Sequence, residues 1–470
     1  MTRAEIAAYL DGQAPFSDGW RRKNRYYYES LERIVRFHVP PGSRVLEIGC
    51  GTGELLNALE PSRGVGIDIS PTVVKIARSR FPGLSFMTGD AEDLPLSEPF
   101  DYIILSDVIG YMDDVQRAFD QLNRVSHPRT RVILTYFNYM WAPILRLGER
   151  LGMKRPQPDQ NWLALPDLQN LLSLANFQTV MKGYKLLLPV RVPLLSALCN
   201  RILANLPLVR NLCLVQIIVA RPAPVPVPEE SLSCSVVVPA RNEKGNIEDA
   251  VRRVPAMGSR TEILFVEGNS SDGTAEEIER VIAAYPGRDV KLLRQGSGVG
   301  KGDAVRKGFA ASTGDVLLIL DADLTVPPEE LPKFFRALCS GRGEFVHGSR
   351  LVYPMDKQAM RFLNTLGNKF FSVAFSWLLD QPFNDTLCGT KVLRRTDYEK
   401  IAAGRGYFGD FDPFGDFDLI FGAAKLHLKI LEIPIRYRER TYGTTQISRF
   451  RHGWLLLRMC FFALRRIKFV

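Results

Sequence analysis

The chain has 470 residues and a formal net charge of +10, and at about 100–200 residues per domain it holds two or three domains rather than one. Its 46% hydrophobic and 24% charged residues exclude a disordered or fibrous chain. Seven scattered cysteines without a CxxC pair argue against a zinc site or a disulfide framework and point to reduced thiols in the cytosol.

The opening MTRAEIAAYLDGQAPF has no apolar segment of the kind a secretion signal carries, and no later run approaches the roughly 18 apolar residues of a spanning helix. The first informative stretch is RVLEIGCGTGELL, Arg44 to Leu56, which places Glu47, Gly49, Gly51 and Gly53 at every second position where a strand gives way to a helix. Glycine there lets the backbone approach a ligand closely. A dinucleotide site spaces its glycines GxGxxG, whereas the spacing here is ExGxGxG, which resembles motif I of class I S-adenosylmethionine-dependent methyltransferases. That resemblance implies a Rossmann-like doubly wound α/β fold with S-adenosyl-L-methionine as cofactor. It assigns Asp68, ending GVGIDIS, to the ribose hydroxyls, Asp90 and the Ala91 backbone in MTGDAEDLPL to the adenine, and Asp107 in FDYIILSDVIGYMDD to the methionine part and the acceptor. Four motifs in family order cover residues 42 to 134. Between Tyr136 and Ala220 no proton-abstracting residue stands out, and the methyl acceptor stays open. Within that span, GYKLLLPVRVPLLSALCNRILANLPLVRNLCL is apolar with spaced arginines, and reads either as a membrane-facing or interdomain surface or as ordinary core.

RPAPVPVPEE, Arg221 to Glu230, alternates prolines, which forbids a helix and favours an extended spacer. The expected organisation is therefore a domain over 1–220, a linker over 221–230, a second domain over 231–445 and a basic tail over 446–470. On both sides of the linker, short β-branched runs alternate with amphipathic stretches, so each half is α/β with a mostly parallel sheet.

In the second half, ILDADL runs from an apolar strand into Asp321 and Asp323. Uncompensated carboxylates at a buried strand end cost several kcal/mol, so a cation is expected beside them. SCSVVVPARNEKGNIEDAV, EILFVEGNSSDGTAEEI, GKGDAVRKGFAASTGDVLLILDADL and VHGSR, in this order, resemble a family 2 glycosyltransferase of the GT-A fold. The resemblance implies an inverting transfer from a nucleotide-sugar, with Pro239, Ala240, Glu243 and Glu267 at the nucleotide, Lys301, Gly302 and Asp303 in a loop closing over it, and Arg350 of VHGSR also at the nucleotide-sugar. It makes Asp321 and Asp323 the DxD pair holding Mg²⁺ or Mn²⁺ against the donor phosphates. Gly268 stands where the family has an Asp, and Thr325 where a Gln often follows the DxD.

The segments GSR, FNDTLCGTKVL, FGDFDL and EIPIRYRERTYGTTQISRFRHGW resemble the polyprenyl-phosphate glycosyltransferases of dolichyl-phosphate type. A lipid phosphate attacks without a general base, which suits Arg350, Arg438 and Arg440. A glycan hydroxyl would instead need a carboxylate base, for which Asp416 and Asp418 are candidates. Both acceptors stay open. From Arg436 to the end there are nine Arg or Lys and one acid, Glu439. WLLLRMCFFALRRIKF interleaves them with large apolar residues, as in a helix lying in a membrane interface or an amphipathic helix packed on its own domain. The resulting expectation is a bifunctional enzyme, cytoplasmic and peripherally bound at the inner membrane face, without a nucleic-acid partner. A first domain that binds S-adenosylmethionine without chemistry is the alternative.

Overall fold

The computed structural model describes residues 2–158, 160–298, 300–350, 352, 362–407, 417–440, 442 and 449–468; for 362–368, 449–453, 455 and 456 the helical backbone alone is described. The chain divides into two compact units, the first running to Ala223 and the second spanning Pro224–Ile467.

In the first unit the strands are β1 (Arg44–Ile48), β2 (Arg63–Asp68), β3 (Ser85–Thr88), β4 (Phe100–Ser106), β5 (Ser126–Phe137), β6 (Phe177–Lys185) and β7 (Val215–Pro222). They form one sheet in the order β3-β2-β1-β4-β5-β7-β6. The first five are parallel, and β7 runs antiparallel to both β5 and β6. Strands buried on both faces read as continuous apolar runs, as Val132, Ile133 and Leu134 of β5 do. The chain builds outward from β1 to β3 and then crosses back to β4. That reversal opens a crevice beyond the carboxyl ends of β1 and β4, the usual place for a ligand in an open α/β sheet.

The second unit repeats this plan with a different far edge. Its strands are β8 (Cys234–Ala240), β9 (Thr261–Glu267), β10 (Asp289–Arg294), β11 (Val316–Ile319), β12 (Phe345–Ser349), β13 (Lys391–Arg394) and β14 (Ile430–Pro434), in the order β10-β9-β8-β11-β13-β12-β14. β8 to β11 are parallel, β13 is antiparallel to β11 and β12, and β14 is parallel to β12. Its switch point lies between β8 and β11. The helix Leu331–Cys339 covers one face by burying Phe334 and Phe335 against Val236, Leu318 and Val346.

Two expectations from the sequence shift. Arg221 and Pro222 complete β7, in register with Gln178 and Phe177, so the irregular stretch starts at Ala223 and ends at Pro228. In the tail, the helix Arg449–Ala463 buries Met459 and Ala463 in the core of the second unit, while Trp454, Leu457 and Phe461 are exposed. Among the described residues no helix is long and apolar enough to cross a membrane. All seven cysteines are free thiols.

Candidate functional site

In the first unit, the crevice at β1, β2 and β4 is roofed by the helices Arg3–Gln13, Ser17–Lys23 and Arg25–His38 and encloses a cavity of about 630 Å³. Glu47, Gly49, Gly51, Asp68, Asp90, Ala91 and Asp107 all line it. Gly53 does not: at φ 88° it starts the helix Glu54–Ala58, where a Cβ would fall 2.7 Å from the Phe86 ring. Gly51, at φ 53°, has no protein atom within 4 Å of the Cβ it lacks, so the space before its backbone is open.

The carboxylates of this cavity are held by neutral donors. Asp68 accepts from the N–H groups of Gly51 at 2.9 Å and Ser70 at 3.0 Å, and burial still pushes its carboxyl up. Glu47 is buried, and one of its oxygens has no hydrogen-bond partner among the described residues; burial, then nearby Glu54 and Asp68, push its carboxyl well up. The Tyr27 hydroxyl donates to Asp107 at 2.5 Å, and among the described residues the other Asp107 oxygen has no hydrogen-bond partner. Burial raises the Asp107 carboxyl to about 6, against the opposing pull of Tyr27 and Lys154. Asp90, Glu92 and Glu54 on the same wall are the exceptions: Asp90 pairs with Arg3 at 2.9 Å, Glu92 also with Arg3, and Glu54 with Arg80 at 2.8 Å. Two orphaned carboxylate oxygens and an open glycine turn suit a ligand that brings hydroxyls and positive charge, as S-adenosylmethionine does. Tyr27 and Arg3 were missed from the sequence, where the aromatic run RYYYES at Arg25–Ser30 is a signal that could have found the first of them.

In the second unit, the carboxyl ends of β8, β9 and β11 bring the other set together. Pro239 and Ala240 close β8, and the Ala240 carbonyl accepts from the Gly268 N–H at 2.9 Å. Buried Glu267 accepts from the Ser270 N–H at 2.5 Å. Glu243 accepts from Asn246 at 2.8 Å and pairs with Arg440 at 3.1 Å; burial raises its carboxyl while Arg440 pulls it down. At the head of the helix Gly300–Ala311, Gly302 is buried and Asp303 accepts from Gln295 at 2.8 Å and pairs with Lys307 at 3.0 Å.

The aspartate pair is answered by the protein's own cations. Lys301 pairs with Asp321 at 2.5 Å, and Arg440 with Asp323 at 2.6 Å. Burial works to raise the Asp321 carboxyl, but Lys301, Lys391 and Arg350 outweigh it and hold it below the usual carboxylate range. Thr325 donates both its hydroxyl, at 2.8 Å, and its N–H, at 3.2 Å, to Asp323, so the residue in place of the family's Gln orients the second aspartate. Among the described residues no three His, Cys, Asp or Glu side chains form a metal cage. A hard dication held against phosphates and waters asks for only one or two carboxylates, and Asp321 and Asp323 fit that demand.

Arg350, expected at the donor, is engaged within its own unit. Its guanidinium is spent on Asp385, with paired contacts at 2.7 and 2.8 Å, and lies over the Tyr437 ring. The pair holds Asp385, wholly buried, at about 2. Arg438 is exposed, and its N–H binds the Thr325 carbonyl at 2.9 Å. Asp416 lies outside the described residues. Asp418 is buried and engaged by Arg405 at 3.0 Å.

Comparison with known proteins follows this division. The family model described as a methyltransferase domain matches residues 20–182, and that of glycosyl transferase family 2 matches residues 235–401. The chain is similar to the dolichol-phosphate mannosyltransferase of Saccharomyces cerevisiae, 40% identical over 23% of this chain and 42% of that protein. It is also similar to that of Pyrococcus furiosus, 36% identical over 46% and 60%. With the undecaprenyl-phosphate 4-deoxy-4-formamido-L-arabinose transferase of an Enterobacter species it shares 37% identity over 46% of this chain and 62% of that protein. The matches thus span less than two thirds of each relative's own length. The chain therefore carries a methyltransferase domain in its first unit and a family 2 glycosyl transferase domain in its second.

Proposed function

We propose that the chain catalyses two transfers: a methyl group from S-adenosylmethionine in the first unit, and a sugar from a nucleotide-sugar to a polyprenyl phosphate in the second, at the inner face of the membrane. The observation that carries the second transfer is the meeting of Lys301 and Arg440 with Asp321 and Asp323 at one strand end. These cations balance the carboxylates in the absence of substrate. A bound Mg²⁺ or Mn²⁺ would take over that role and stabilise charge on the departing diphosphate. Lys301 and Arg440 lie beside the aspartates where the phosphates of donor and acceptor would bind, and guanidinium and ammonium groups suit such anions.

A lipid phosphate oxygen attacks the anomeric carbon, the bond to the diphosphate breaks, and the configuration inverts. No proton has to move. The similarity to dolichol-phosphate and undecaprenyl-phosphate transferases favours this reading over a hydroxyl acceptor. Arg350 supports the site from beneath through Asp385 rather than by touching the donor. In the tail helix, Trp454, Leu457 and Phe461 supply an apolar face that an interfacial lipid layer would take up.

In the first unit, Glu47, Asp68 and Asp90 would hold the methyl donor by its hydroxyls and charged groups, and S-adenosylmethionine supplies an electrophilic methyl. Asp107, with Tyr27 fixing one oxygen, offers the other to the acceptor and takes its proton above a pH of about 6.

The test pairs labelled nucleotide-sugars with polyprenyl phosphate. Sugar should pass to the lipid in a reaction stopped by EDTA and restored by Mg²⁺ or Mn²⁺. Asp323→Asn should lower transfer about a hundredfold or more, since the amide keeps the shape and loses the charge a hard dication needs. Calorimetric binding of S-adenosylmethionine should be unchanged in that variant. Transfer to a sugar hydroxyl alone, or full activity of Asp323→Asn, defeats the proposal.

A further inference from the structure

The methyl-donor cavity opens on an unusually apolar surface. Of the twenty-five large apolar side chains exposed among the described residues, fifteen lie within 139–153 and 190–212 of the first unit. Hydrogen bonds join the two segments into one face: the Trp141 indole N–H donates to the Leu212 carbonyl at 2.8 Å, and the Asn138 amide to the carbonyls of Asn211 and Cys213 at 2.8 and 2.9 Å. Leu194 and Leu208 are its most prominent points, 89% and 88% exposed. Ile144, Leu147, Leu151, Met153 and Val190 belong both to this face and to the cavity wall, so the face borders the cavity. Contiguous apolar surface beyond a few hundred Å² marks an interaction site.

Charge identifies the occupant. Arg146, Arg150, Arg191 and Arg201 are exposed within the two segments. From Leu168 to Pro228 there is no Asp or Glu, and the one acid of 139–153, Glu149, pairs with Lys154 at 2.6 Å. A second copy of the same face would bring arginine against arginine across a two-fold axis. An anionic bilayer answers both features, with acyl chains for the leucines and headgroups for the arginines. We propose that this face docks the methyltransferase unit on an anionic lipid surface, with the mouth of the cavity turned to the lipid. The methyl acceptor is then an amphiphile delivered from the bilayer, a consequence that rests on reading the cavity as the methyl-donor site.

Hydrogen–deuterium exchange on the full chain tests the docking segment by segment, independently of the tail. Vesicles containing phosphatidylglycerol should slow exchange in 139–153 and 190–212, and vesicles of phosphatidylcholine alone should not. Leu194→Asp with Leu208→Asp, both at exposed tips outside the cavity, should remove that protection and weaken vesicle binding about tenfold or more. S-adenosylmethionine affinity measured without vesicles should not change. Unaltered exchange with phosphatidylglycerol vesicles overturns the proposal, as does equal protection by phosphatidylcholine, or protection that rises with protein concentration and needs no lipid. Failure of the unaltered protein to bind S-adenosylmethionine would remove the methyl-donor reading instead, and leave the lipid result to stand.

Discussion

The two crevices sit at equivalent places in two similar sheets, and they handle negative charge in opposite ways. In the first unit, Glu47, Asp68 and Asp107 have no cation in ion-pair contact among the described residues, and burial raises all three. In the second, Asp321, Asp323 and Asp385 each have one, in Lys301, Arg440 and Arg350. The contrast follows the ligands proposed for them. A cavity that waits for a sulfonium, an amine and a diol leaves these three carboxylates without a cation of their own, although Asp90, Glu92 and Glu54 on its wall are paired, whereas a site for diphosphate and lipid phosphate stores cations and parks them on its own acids.

The most damaging way to break the contrast is to strip a cation from the second unit. Arg350→Ala leaves Asp385 charged and buried, at a cost of about 3–5 kcal/mol. Urea unfolding followed by hydrogen exchange should locate the loss in the second unit alone. Combining it with Asp385→Asn should recover much of the stability, because the uncompensated charge is then gone.

A smaller effect comes from neutralising an acid of the first unit. The folded Asp107 carboxyl lies at about 6, raised from an ordinary value of 3.8. As pH rises between those values, the unfolded chain gives up its proton and the folded chain keeps it. The stability that the group contributes is therefore complete below about 4 and lost by the time pH passes 6. Asp107→Asn should stabilise the first unit at pH 7 by about 2 kcal/mol, allowing for water in the open cavity, and should leave it unchanged at pH 4. Methyl transfer should fall in the same variant. A stabilisation independent of pH would show that the folded carboxyl titrates where the unfolded one does, so that burial does not raise it.

The smallest test sharpens the comparison on the ligand side. Gly51→Val fills the space before the glycine turn and strains a backbone at φ 53°. Calorimetry should show S-adenosylmethionine affinity reduced about tenfold or more, with nucleotide-sugar binding in the second unit untouched. Unchanged affinity would mean that the ligand does not approach that turn.

Much of both sites was legible because each motif is local. The residues of ExGxGxG and DxD stand within a few positions of a strand end, so once β1 and β11 form, the backbone alone delivers Glu47, Gly51, Asp321 and Asp323 to the crevices. The glycine spacing differs from that of a dinucleotide turn and carries the resemblance to methyltransferases. The positions of Asp68 and Asp107 followed for the same reason, from the ends of β2 and β4.

Pairing between distant segments was not legible. Arg440 reaches Asp323 across 117 positions and Glu243 across 197, and Tyr27 reaches Asp107 across 80. Arg350 was expected at the donor by its charge and its place in GSR, yet it closes on Asp385, which FNDTLCGTKVL contained without marking it as an ion-pair partner. The sequence by itself determined the two domains, their α/β architecture and the strand ends at which chemistry gathers, because these depend on apolar periodicity and on turns a few residues long. Only the tertiary structure decided which cation answers which carboxylate, and which apolar residues lie at the mouth of the cavity. Those depend on how far-separated elements close on one another, and a charged side chain stays in whichever buried contact best repays its lost hydration.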